Sequence, residues 1–197
     1  MANIEMENND KIEFEKKIDT HYSYFGKIAV EFERMCSFLR MDILFFLQGH
    51  GLKEQDLSRI MLADLSAYQL ITKFRAIYAF TYKDKPEYIK HLDPFFKAML
   101  KINEKRNFII HGNWSIPEVN EHNMNKDPEL DKVLAHKEIV KKDGLHLVAE
   151  LYGEDDYTTL ISKIKESTRI LHLVQGAYTF KRDLFSVIKD KDINKVI

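Results

Sequence analysis

The segment Arg106-Asn107-Phe108-Ile109-Ile110-His111-Gly112 places an arginine five positions before a histidine, at what reads as the closing turn of a helix. Arginine carries a permanent, fork-shaped cation suited to phosphate oxygens. Histidine is the side chain whose ordinary pKa lets it accept or release a proton near neutrality. Together they suggest phosphodiester chemistry that needs no metal. Spacing alone decides little, because seven Arg and eight His in 197 residues give roughly 0.3 matches at any one separation by chance.

The helical setting carries more weight. At about 100° per residue, Leu92, Phe95, Phe96, Met99, Ile102, Ile109 and Ile110 form one apolar stripe, and Arg106 falls near its middle. A guanidinium in such a stripe is costly without partners. Asn107 and His111 are an i,i+4 pair at the stripe's edge, so the amide is expected to reach and orient the imidazole. Asn103 extends the polar seam. A plainer alternative pairs Arg106 with a buried carboxylate and leaves His111 as a cation at the helix end, where the dipole favours it. The sharper one turns the seam toward a second copy of the chain, so that two motifs share a composite polar site.

The elements that must position these residues follow from periodicity. Tyr24, Phe25, Ile28, Phe32, Met35, Leu39, Ile43 and Phe46 recur at three- and four-residue steps and predict one helix from about 19 to 49, closed by Gly49-His50-Gly51. A second helix, carrying Leu57, Ile60, Met61, Leu65, Tyr68, Ile71, Phe74, Ile77 and Tyr78, is expected from near Asp56 until Lys83-Asp84-Lys85-Pro86, packed on the first. A third begins between Glu87 and Asp93-Pro94, with proline in its first turn, and runs to His111 before Gly112 stops it. From Asn113 to Gly153 the character changes: a polar run from Glu118 to Asp131 precedes Val133–Val140 and Leu145–Tyr152, which read as a β-hairpin around Lys142-Asp143-Gly144. A final helix or helix pair spans about 155 to 189. The expectation is an all-α antiparallel bundle, one domain over residues 1–197, with residues 113–153 as a β-hairpin insertion.

Composition narrows the function classes. Thirty basic and 31 acidic residues nearly cancel, so no global field gathers nucleic acid and any binding must be local. The single cysteine, Cys36, cannot form an internal disulfide and points to a reducing compartment. Residues 1–10 are acidic and lack the pattern of a signal peptide, and the apolar run around Met41–Leu47 is too short to span a membrane, so a cytoplasmic protein without membrane contact is expected. No phosphate loop, dinucleotide fingerprint or nucleophile elbow is present. His122, His136 and His146 lack the companions of a zinc site, so neither metal nor cofactor is expected.

At the motif itself the chain resembles the HEPN superfamily, whose signature is Arg, four to six residues, then His, with a polar residue directly after the Arg. Arg106-Asn107-x-x-x-His111-Gly112 matches its common form. The resemblance covers the helical scaffold, roughly residues 20–111 and 155–188, and excludes the β insertion. It implies a homodimer with both motifs in one cleft and a metal-independent ribonuclease in a toxin, abortive-infection or RNA-processing role, with an antitoxin or effector protein as partner. The alternative it leaves is a non-catalytic, dimeric module that binds nucleotide, RNA or protein. The toxin subgroup modified by a nucleotidyltransferase carries a tyrosine two positions after the histidine. Here that position is Asn113, so such regulation is not expected.

Arg106, His111 and Asn107 are thus the catalytic candidates, and Lys105, Asn103, Asn113 and Trp114 are the candidates for holding RNA around them. Trp114 and Phe108 offer rings on which a base could stack, although a lone tryptophan after a helix end more often plugs an insertion onto its bundle. Lys101, Lys105 and Lys126 could form a local rim for phosphate.

Overall fold

A computed structural model describes residues 2–115, 132–141 and 143–197, with side chains from Lys11 onward except that of Lys141. The polar run at 118–131, with His122 and Lys126, and Lys142 of the expected turn lie outside the described residues. Among the described residues the chain forms α1 (Ala2–Gly49), α2 (Gln55–Ala63), α3 (Ala67–Thr81), α4 (Pro86–His111), β1 (Asn113–Ser115), β2 (Val133–Lys141), β3 (Gly144–Tyr152), α5 (Glu154–Thr179), α6 (Leu184–Val187) and α7 (Asp190–Asn194). The mainly helical bundle expected from periodicity is present, and no described helix is long and apolar enough to cross a membrane.

Four boundaries differ from the expectation, each for a local reason. α1 begins near the amino terminus rather than at Asp19. The expected second helix is two helices, because Ser66 accepts a hydrogen bond from the Gln69 N–H while the Gln69 side chain accepts from the Ser66 N–H. That capping box starts a new helix inside an apolar run. Leu57, Ile60 and Met61 of α2 are accordingly exposed instead of packed. α4 opens on Pro86 and carries Pro94 in its interior, where the expectation had placed it in a first turn. The last segment breaks after Thr179 into two short helices.

The β region is also larger than a hairpin. β1 pairs antiparallel with β2 (Asn113↔His136), and β2 with β3 over nine residues, giving the strand order β1-β2-β3. Three residues after Gly112 are too few to show a strand period, so β1 was not expected.

The chain divides into two compact units: residues 1–29 with 106–160, and residues 30–105 with 161–197. The first holds the sheet, whose inner face presents Trp114, Val133, Ala135 and Tyr152. Trp114 lies 4.5 Å from Phe25 and 5.8 Å from Tyr152, ring centre to ring centre, and Tyr152 stacks on Tyr157 at 6.0 Å. The second is built on an aromatic core of Phe46, Phe74, Tyr78 and Phe96. There Tyr178 stacks on Phe46 at 4.1 Å, and a Cβ at Gly49 would overlap the Tyr178 hydroxyl, so only glycine fits at the end of α1. Closing that end falls to Gly51, with φ of 95°, a conformation that costs glycine nothing.

Candidate active site

Two carbonyls in the last turn of α4 find donors beyond the helix. The Gly112 N–H donates to the Phe108 carbonyl at 2.9 Å, and the Trp114 indole Nε1–H donates to the Ile109 carbonyl at 2.9 Å. These bonds satisfy groups that a helix end otherwise leaves open. A Cβ at Gly112 would lie 2.5 Å from the Phe108 carbonyl oxygen, so this position demands glycine for space. The chain can then turn at once into β1, and His111 is held at a fixed place on the helix end.

Three motif side chains converge there. Arg106 Nη1 donates to Asn107 Oδ1 at 3.1 Å and lies 3.4 Å from His111 Nε2. Guanidinium has no acceptor, so in this contact only the imidazole Nε2 can take the acceptor role. The expected bond from the Asn107 amide to the imidazole is replaced: the amide oxygen meets Arg106, and Arg106 bridges to the histidine. Burial separates the roles. Arg106 and Asn107 are half-buried and His111 is exposed. The arrangement can hold an anion on a guanidinium oriented by an amide, with an imidazole beside it.

No family model, curated protein or solved structure matches the chain. The site therefore rests on its own geometry.

The outlying candidates divide sharply. Lys105 and Asn113 are exposed and free to meet a ligand, as is Lys101. Asn103 is only 7 % exposed, so it cannot line an open RNA-binding surface. Trp114 is half-buried with its N–H committed to Ile109 and its ring against Phe25 and Tyr152. It packs the sheet against the helix end, as a plug does. Phe108 is likewise half-buried, 6.2 Å from Tyr152. Among the described residues no group of His, Cys, Asp and Glu could hold a metal ion. His136 pairs with Ala149 and His146 with Ile139, so the two histidines point to opposite faces of the sheet.

The structure gives two histidines surroundings that the sequence did not reveal. His136 stands directly opposite Asn113, which puts a second imidazole on the sheet face that begins two residues after His111. Only the register of β1 reveals this. His21 is 2 % exposed, with Nδ1 3.2 Å from the Tyr157 hydroxyl, and burial followed by the Lys17 charge lowers its pKa. It borders a cavity of about 560 Å³ lined also by Lys16, Lys132, Glu154 and Asp155. Their separation in sequence, from α1 to α5, hides the cluster.

Proposed function

We propose that the chain is a metal-independent endoribonuclease whose reacting groups are Arg106, Asn107 and His111. The observation that carries this reading is the convergence of the three side chains, with Arg106 Nη1 at 3.1 Å from Asn107 Oδ1 and 3.4 Å from His111 Nε2. A phosphate of RNA would take over Nη1, since a charged acceptor outcompetes a neutral imidazole. That exchange frees Nε2 to remove the 2′-hydroxyl proton. The 2′-oxygen then bonds to phosphorus and the bond to the 5′-oxygen breaks, with a proton delivered to that leaving oxygen. Arg106 stabilises the charge on the non-bridging oxygens through its fork, and Asn107 holds the fork in place. His111 of a second copy would serve as the second proton carrier, in the homodimer that the HEPN resemblance implies. Lys105 and Asn113, both exposed, would contact the strand. The same resemblance supports a toxin, abortive-infection or RNA-processing role, with an antitoxin or effector protein as partner.

The near-neutral formal charge of −1 favours one second reading: a HEPN-like dimer that binds nucleotide, RNA or protein without cutting. Incubation with a mixed RNA pool in chelator separates the two. The nuclease yields 2′,3′-cyclic phosphate ends and leaves DNA of the same sequence intact, because DNA lacks the attacking hydroxyl. Retention of RNA with no new ends selects the binding module instead.

A further inference from the structure

β3 closes the sheet, and among the described residues no strand pairs with its outer edge. Soluble proteins usually protect such an edge with lysine, proline, a bulge or a very short strand. β3, whose one formally charged residue is Glu150, has none of these. It is nine residues long, Gly-Leu-His-Leu-Val-Ala-Glu-Leu-Tyr, and its register with β2 is unbroken from Val133↔Tyr152 to Lys141↔Gly144. Its outward face is apolar as well. Leu145, Leu147 and Leu151 are 65 %, 66 % and 45 % exposed, and Val140, opposite Leu145, is 82 % exposed.

The strand is complementary to itself. Antiparallel pairing of two copies about a two-fold axis at Val148 sets Leu145 against Leu151, Leu147 against Ala149 and His146 against Glu150, each pair occurring twice. Opposed residues point to the same side of a sheet, so the leucines of both copies continue one face. No like charges are set directly opposite, and on the other side His146, which meets the Asp143 carboxylate of its own chain at 2.9 Å, faces a Glu150 that accepts from the Tyr152 hydroxyl. Moving the axis to Leu147 sets Glu150 against Gly144, and moving it to Ala149 sets Glu150 against Val148; both shorten the ladder. A one-residue slip puts the apolar face of one copy against the inner face of the other.

We propose that a second copy of this chain docks on the β3 edge, joining two three-stranded sheets into one six-stranded antiparallel sheet. The contact is isologous, as expected for a homodimer. β1, which follows His111, lies two strands from β3, so this axis holds the two motifs on the order of 20 Å apart. The interface is therefore separate from one that brings both motifs into a single cleft, and its test is independent of any RNA cleavage.

Disulfide trapping reads the register directly. Opposed Cα atoms in an antiparallel pair lie at about 4.5–5.5 Å, within reach of a disulfide, whereas position 145 and its own copy would be roughly 20 Å apart. Leu145→Cys and Leu151→Cys proteins are purified, mixed at tens of micromolar, and oxidised mildly. Cys36 is buried and common to all samples. The mixture should form covalent dimer in up to about half of the chains, at least tenfold more than either protein alone. Adding Leu147→Lys to both should abolish the product without changing the far-ultraviolet circular dichroism, since the side chain is exposed and the new charges repel diagonally across the axis. Failure of the mixture to cross-link, or equal cross-linking by the Leu145→Cys protein alone, overturns the proposal.

Discussion

His111 is exposed at the end of α4 while Arg106, one and a half turns earlier, is half-buried, and different consequences follow for each. Replacing His111 with Ala should leave stability within about 0.5 kcal/mol, as for an exposed side chain. The same change should slow RNA cleavage by roughly 10²–10⁴-fold, the usual worth of a proton-transfer group. Arg106→Lys keeps the charge and removes the fork, so cleavage should still fall by at least about tenfold. Trp114 serves as the internal contrast. Trp114→Ala should cost about 2–4 kcal/mol in urea denaturation, because the ring fills the junction and caps Ile109, and Trp114→Phe should recover part of that loss. A Trp114→Ala protein of unchanged stability but weakened RNA binding would return the residue to a stacking role. The Arg, Asn and His were legible in the chain because their types and positions on one helix already constrain their chemistry. Who bonds to whom was not: whether an amide at i−4 or a guanidinium at i−5 reaches the imidazole depends on rotamers set by packing.

At the level of elements, periodicity located α1, α4 and α5 because each holds an apolar stripe over many turns, from Ile28 to Phe46 in the first case. It failed between α2 and α3 because apolar residues continue through the break, while α2 stops at Ala63 and the capping box at Ser66 begins α3. The signal was there in Ser66-x-x-Gln69, overridden by the run of leucines and isoleucines around it. Ser66→Ala should lower stability by about 1 kcal/mol and loosen the first turn of α3, visible as faster amide exchange there. β1 is the other missed element. Its three residues acquire a strand conformation only by pairing with β2, some twenty positions later, a non-local contact that no local pattern encodes.

For the whole molecule, the buried carboxyl of Asp42 ties stability to pH. The side chain is 1 % exposed, its Oδ2 meets no hydrogen-bond donor among the described residues, and burial pushes its pKa up to about 8. The folded state thus keeps a proton that the unfolded chain gives up near pH 4, so this residue weakens the fold progressively as pH rises from about 4 to 8. Below that window both states are protonated; above it the loss is complete. Wild type should lose about 1 kcal/mol per pH unit relative to Asp42→Asn across this range, measured by urea denaturation at pH 5, 6 and 7. Parallel lines for the two proteins would mean that Asp42 ionises normally. The central claim concerns chemistry at the end of α4, and the most direct measurement is the single-turnover rate of RNA cleavage in chelator by wild type and His111→Ala at equal concentration. Cleavage by wild type with 2′,3′-cyclic phosphate ends, and a rate at least about 10²-fold lower in the variant, is the predicted result. Equal rates in the two proteins would contradict it.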